Sequence, residues 1–410
     1  MDIRSVTAFV EARPPITPAG FEAAGSAVRA ARAALTDAGY TVQSARLAIQ
    51  AFPDALPAGQ PGLAVELAKD LEAVAFVNEI DYVALGPVRA HHSADYLDAL
   101  VEVLAQTENT FASIEIADPQ QGISLPRLRQ TAEIIRQVAR LKGDGFKNLY
   151  LTALANVPPW SPFLPAAYHG GGPARLAVAT ESADLAIDAI TGANSPAEAA
   201  EHLTRRIEAE AARIEGAVRA ALGAPGSLDF AGIDFSLAPF PDNTRSIGRA
   251  LEALGLAAFG GQGSLAAAAF LTDALDRASF QRAGFCSLML PVLEDSVLAE
   301  RASQGLLSIS DLLTCSAVCG TGLDLIALPG DVSAASLSAI LLDVGALALR
   351  LDKPLTARLM PLPGKQAGDP VTFDFEYFAA SRVLPAPAES LVGLLAGEDT
   401  LFITPRNRQG

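Results

Sequence analysis

Short aliphatic and β-branched runs alternate with amphipathic stretches along most of this chain of 410 residues. No other feature limits the fold as much, because strands separated by helix-length crossovers run parallel and need helices over the sheet faces. The first unit pairs Ile3–Val10 with a helix from about Ala19 to Asp37, which Gly39 ends just past its last turn. Further strands are expected at Ser44–Ile49, Tyr82–Leu85, Ala112–Ile116, Leu149–Leu154 and Leu176–Ala179. A second series follows at Phe230–Leu237, Ser287–Leu293, Leu323–Leu328 and Leu355–Met360. Helices with apolar stripes fall between them at Leu63–Phe76, Pro126–Leu141, Ala197–Leu222, Leu265–Ala278 and Ala334–Leu349. Pro126 suits a first helical position, where its missing N–H leaves no bond unmade.

Counted this way the chain has about ten strands, more than a standard eight-stranded barrel. The helix Ala197–Leu222 buries only its Leu203, Ile207, Ile214 and Val218 side and can bridge two halves of about five strands each. No Ser/Gly-rich or Pro-rich linker separates those halves. Residues 1–410 are therefore read as one continuous α/β domain, with a candidate lid loop at 155–173 and a C-terminal tail at 385–410.

Half of the residues are hydrophobic and 19% are charged, so the chain can bury a large core. The formal charge of −16 has the wrong sign for a phosphate backbone or an anionic bilayer, so neither nucleic acid nor membrane is expected as a partner. A mean hydropathy of +0.29 does not by itself imply membrane spans. The apolar run at Leu265–Leu275 meets Asp273 and Asp276 before the ~20 uncharged residues a span requires. The start Met1-Asp-Ile-Arg4 has no cationic region leading into an apolar one, and three cysteines suit a reducing compartment. A cytoplasmic protein is expected. Its Ala-rich surface is more easily kept soluble if subunits cover part of it, which favours a homo-oligomer.

In a parallel fold the loops leaving the carboxyl ends of the strands build the ligand site, so polar residues there are expected to converge on one rim. The third strand leads into Arg89, His91 and His92, and the fourth ends at Glu115 and Asp118. The fifth runs into a long loop holding Trp160, Tyr168 and His169. The sixth gives Glu181, the seventh Asp234 and Ser236, and the eighth Glu294-Asp295. Imidazoles serve as acids or bases near neutral pH, which makes His91, His92 and His169 candidates for proton transfer. A Ser93 N-cap would instead leave His91 and His92 satisfying backbone groups. Glu115, Glu181 and Glu294 are candidate acids or cation ligands, while Asp295 fits a helix first turn equally well.

Arg89 and the backbone of Gly320 to Gly322 suit an anionic substrate group, although tight-turn glycine explains the latter as readily. Ser236 and Trp160 are further substrate contacts, Trp160 as a stacking surface or a loop anchor. Cys319 is the best-placed thiol, whereas Cys286 and Cys315 read as core. No H-x-E, HExxH or paired CxxC spacing supports zinc. A divalent cation held by oxygen ligands from separate loops stays open, and no cofactor is specified.

The segments Cys319-Gly-Thr-Gly-Leu-Asp-Leu-Ile-Ala-Leu-Pro-Gly-Asp331 and Thr356-Ala-Arg-Leu-Met-Pro-Leu-Pro-Gly-Lys365 resemble domain of unknown function family 711. So do Met1–Thr7, Asp234–Pro239 and Pro291–Asp295, and the likeness spans essentially the whole chain. The resemblance is closer to the branch carrying Pro87-Val-Arg89-Ala-His-His92 and Thr180-Glu-Ser-Ala-Asp184. It implies the pyruvate formate-lyase-like fold of the glycyl radical enzymes, a ten-stranded α/β barrel of two five-stranded halves. The strand count agrees. Radical storage needs a glycine in an Arg-Val-x-Gly-aromatic context, where this chain has Arg382-Val-Leu-Pro385, so the architecture is expected without a glycyl radical. The reading is an enzyme using non-radical acid/base chemistry on a small, anionic or polar metabolite in the barrel mouth, with hydrolase, lyase and isomerase all open. Its rival is a non-catalytic ligand-binding or regulatory protein on the same barrel. A redox role through Cys319 is a third reading.

Overall fold

The computed structural model describes residues 1–223, 228–387 and 390–406, so 388–389 and 407–410 of the expected tail lie outside it. The sheet strands are β1 (Asp2–Phe9), β2 (Ala45–Ala48), β3 (Tyr82–Val88) and β4 (Thr110–Ala117). The two-residue β5 (Ile123–Ser124) lies outside this sheet and pairs with Thr400–Leu401. The sheet continues with β6 (Leu151–Ala155), β7 (Arg175–Glu181), β8 (Asp229–Asp234), β9 (Gly322–Pro329) and β10 (Leu355–Leu362). Its order is β8-β7-β1-β2-β3-β4-β6-β10-β9.

Five strands, β1, β2, β3, β4 and β6, run parallel. At each side the direction reverses, because β7 joins β1 antiparallel and β10 joins β6 antiparallel. β8 then runs parallel to β7, and β9 parallel to β10. The large, mostly parallel sheet covered by helices matches the expected α/β class. Ser287–Leu293, expected as a strand, forms no ladder. It contributes isolated parallel bridges, Leu237 with Leu288 and Pro291 with Asp324, and Ile233 makes another with Arg282. The physical cause is local: Gly284 (φ +70°) and Cys286 (φ +45°) leave the extended region, and Pro291 has no N–H to donate.

β4 and β10 are buried along their whole length, as strands covered on both faces must be, which is why they read as near-continuous apolar runs. The expected helices appear within a few residues of their predicted ends. Pro196–Ala221 buries Leu203, Ile207, Ala211, Ile214 and Val218, and its Ser195 cap accepts from the Glu198 N–H at 3.2 Å. Ala334–Leu351 is long and apolar enough to cross a membrane by length and composition, but half of it is buried inside the fold. The segment 155–173 packs Leu164 and Ala167 against Phe9, Ala48, Ala84, Phe111 and Ala177, one side chain each from β1, β2, β3, β4 and β7.

Candidate functional site

The two reversals of strand direction decide which polar residues meet. Asp2 faces Glu181 across the β1–β7 pair and Phe9 faces Arg175. The amino ends of the five parallel strands therefore lie beside the carboxyl ends of the other set, and the expected single rim becomes two ends of the sheet. At the first of these ends lies a cavity of about 220 Å³. β1 supplies Arg4 to its wall, β2 supplies Arg46, β3 supplies Tyr82 and β10 supplies Arg358, while Asp234, Ser236 and Glu294 follow strands or turns of the second set.

Arg4 donates to Glu181 at 3.2 Å and also binds Glu294. Burial works against its charge, but Glu294 and Glu181 together outweigh that and hold its pKa above the ordinary value. Arg358 pairs with Asp324 at 2.6 Å and lies 3.8 Å from the other oxygen of Glu294. Glu294 is thus clamped between two guanidiniums at the cavity wall.

Arg46 differs. Its Nε donates to Ser44 Oγ at 2.9 Å and its Nη1 to the Pro162 carbonyl at 3.5 Å, and among the described residues it has no ion-pair partner. Burial, aided by repulsion from Arg4 and Arg358, pushes its pKa down to about 9. Glu181 accepts from Gln43 Nε2 at 2.8 Å and lies 3.4 Å from Arg245. Burial raises its carboxyl to about 7 against the pull of Arg4, Gln43 and Arg245. Asp234 is fully buried and accepts from Ser236 Oγ at 2.5 Å, Cys286 N at 2.8 Å and Phe285 N at 3.1 Å. Burial raises its pKa as well. The Ser236 hydroxyl, expected to contact substrate, is committed to Asp234 and accepts from the Ser287 N–H.

Of the residues expected from sequence, Glu181, Glu294 and Ser236 come together here, with Glu294 and Ser236 in the cavity wall. The others do not join them. Arg89, Glu115, His91 and His92 sit where β3 and β4 end, at the opposite end of the sheet. There Glu115 accepts from Ala90 N at 2.7 Å and lies 3.4 Å from Arg89 Nε, so it orders the loop that carries the histidines. His92 Nδ1 accepts from Arg89 N at 2.9 Å, which places its proton on Nε2, 3.0 Å from Asp54. Asp54, His91 and His92 offer ligand atoms within 4.8 Å of one another. With both ring nitrogens of His92 engaged, a cation there would have to break the bond from Arg89 N or strip the ring of its only proton.

His169 is buried at that same end, its ring edge-on to Trp160 at 4.7 Å, and burial lowers its pKa. Arg175 stacks over Trp160 at 4.5 Å. Cys319 is buried, which pushes its thiol up to about 12 and leaves it without thiolate character at neutral pH. Gly320 N donates to Ser287 Oγ at 2.5 Å, so that N–H does not face a free anion site, and Gly322 begins β9 opposite Thr356.

Sequence reasoning passed over Arg4, Arg46 and Arg358. The signal was present as a cation inside an apolar strand, as in Leu-Thr-Ala-Arg358-Leu-Met, because a charge on a buried strand must face a partner or a cavity.

Residues 1–377 match the profile of a family described as Uncharacterised ACR (DUF711). A UPF0210 protein of Pyrobaculum arsenaticum is 32% identical over 393 residues, covering 90% of this chain and 87% of the relative. One from Methanococcoides burtonii is 31% identical over 324 residues, covering 75% and 71%. One from Listeria monocytogenes serotype 4b is 29% identical over 350 residues, covering 81% and 76%.

Proposed function

The chain belongs to the DUF711 family, and from that premise we propose that it is an enzyme binding a small anionic metabolite at Arg46, with Glu294 as the proton-transferring group. One observation carries the reading: Arg4 and Arg358 are matched by carboxylates, while Arg46, in the same wall, has none among the described residues. A half-buried guanidinium in a cavity wall that has no carboxylate partner among the described residues offers its remaining donors to a ligand carboxylate or phosphate. Glu294 faces the same space, and Glu181, one guanidinium away, exchanges a proton near neutral pH. Hydrolysis, elimination and isomerisation all fit this equipment. Radical chemistry does not belong to the proposal, since Pro385 stands where the resembled enzymes need glycine.

A closed barrel of ten strands in two halves, pyruvate formate-lyase-like, is part of the same reading. Its support is the segment 282–291, whose parallel bridges reach Ile233 and Leu237 on one side and Asp324 on the other. A cytoplasmic location is favoured by three free, buried cysteines, and a homo-oligomer by exposed apolar side chains such as Phe76 and Leu394.

A binding-only role has its own observation: Glu294 and Glu181 are both held by arginines, which suits an anion receptor. Native mass spectrometry of the purified protein tests the common premise. A small anion retained by the wild type should be absent from Arg46→Ala, and equal retention by both would sink the proposal. With that ligand in hand, Glu294→Gln distinguishes the two roles, since catalysis requires turnover to fall while binding persists.

A further inference from the structure

Building on that anion site, we infer that its ligand is a planar monocarboxylate: one aromatic or conjugated ring bearing a single acid group. Six residues of the cavity wall are aromatic, Tyr82, Phe111, Tyr150, Phe163, Phe375 and Tyr377, in a chain that is only 6% aromatic. They form connected surfaces. Phe111 meets Tyr82 edge-on at 5.5 Å and Tyr150 at 4.7 Å, and Phe375 meets Tyr377 at 5.2 Å. A flat, polarizable body gains from such walls in a way that a saturated body of equal size does not.

The charge count sets the acid group. Glu181, Glu294 and Asp324 already hold Arg4 and Arg358, and among the described residues Arg46 is the guanidinium of the wall with no carboxylate in ion-pair reach. With Asp81, Asp234 and Glu294 also in the wall, that single guanidinium suits a monoanionic carboxylate better than a dianionic phosphate, which those acids would repel more strongly. The hydroxyls of Tyr82, Tyr150 and Tyr377 are free to take part. Among the described residues only Tyr40 and Tyr168, of the six tyrosines, hydrogen-bond through theirs. Tyr82 is the register partner of Arg46 across the β2–β3 pair and both line the cavity, so a phenol and a guanidinium stand side by side where the carboxylate would bind. Size points the same way. A cavity of about 220 Å³ has room for one ring and its acid group.

Titration calorimetry and thermal shift on the full chain, with benzoate, cyclohexanecarboxylate, acetate and inorganic phosphate as probes, test the class. Benzoate should bind at least about tenfold more tightly than each of the others, a preference carried by ring stacking. Arg46→Ala should weaken benzoate by a similar factor. Phe375→Leu, at a half-buried wall position that need not disturb the core, should bring benzoate down towards cyclohexanecarboxylate. If acetate or phosphate binds through Arg46 as tightly as benzoate, or the saturated ring equals the flat one, the ligand class is wrong while the anion site stands. If no probe binds the wild type, the class and the anion site fall together.

Discussion

Asp324 and Arg358 form an ion pair at 2.6 Å with both side chains almost completely buried. They meet at a bulge: Leu323 pairs with Ala357 and Ile326 with Leu359, so Asp324 and Leu325 together oppose Arg358. Leu325 takes the left-handed conformation (φ +53°) that the extra residue demands. Removing one member of a buried pair strands the other charge, so Asp324→Ala should destabilise the protein by about 3–5 kcal/mol in urea unfolding. Replacing both, Asp324→Leu with Arg358→Met, should recover most of that loss. A single variant within about 1 kcal/mol of wild type would show that the pair is solvated after all.

Asp295 has a purely architectural position beside Glu294. Its carboxylate accepts from Val297 N at 2.9 Å and Leu298 N at 2.8 Å at the start of its own helix. It also accepts from Ser246 Oγ at 2.8 Å, Ile247 N at 2.5 Å and Gly248 N at 3.2 Å at the start of another. One side chain thus caps two helices and fixes the turn that presents Glu294. Asp295→Ala should cost about 3 kcal/mol, more than a single cap, and Asp295→Asn should keep part of that. Calorimetric melting of the two variants measures it, and a loss below about 1 kcal/mol for the alanine would refute the double cap.

Gly322 is required by space as well as by conformation. It has φ +97°, and a Cβ there would lie 2.2 Å from the Thr356 carbonyl oxygen. Gly171 has a similar φ of +90° with nothing within 4 Å. Gly171→Ala should therefore cost only the conformational share, about 1 kcal/mol, whereas Gly322→Ala should cost several times more and loosen the β9–β10 pair. Equal melting temperatures for the two alanines would contradict the clash.

Periodicity made the strands and helices legible, from Ile3–Val10 to Leu355–Met360, because burial on two faces or one leaves a pattern in any sequence. Direction left no such pattern. Nothing in β7 or β10 marks them as antiparallel to β1 and β6, so in the sequence Glu181 and Glu294 read as neighbours of Arg89, His91, His92 and Glu115, which lie at the other end of the sheet. Arg4, Arg46 and Arg358 went unread for a related reason. Which face of a strand a cation occupies matters only once the strand's neighbours are known, and the bulge that sets Arg358 against Asp324 is itself a register effect.

The pH dependence of stability follows from Glu181. Its carboxyl titrates near 7 in the folded protein against an ordinary 4.5, with burial as the largest cause. Between those values the folded chain keeps a proton that the unfolded chain has released, so this residue's contribution is complete below about 4.5 and is lost as pH rises through about 7. Glu181→Gln cannot lose that proton. The variant's stability relative to wild type should therefore rise from pH 4.5 towards 7, by up to about 3 kcal/mol, and then level off. Urea unfolding across that range reads the difference directly. A difference that shrinks with rising pH would mean that Arg4 and Arg245 hold Glu181 ionised throughout, and that its proton is not available to a ligand near neutral pH.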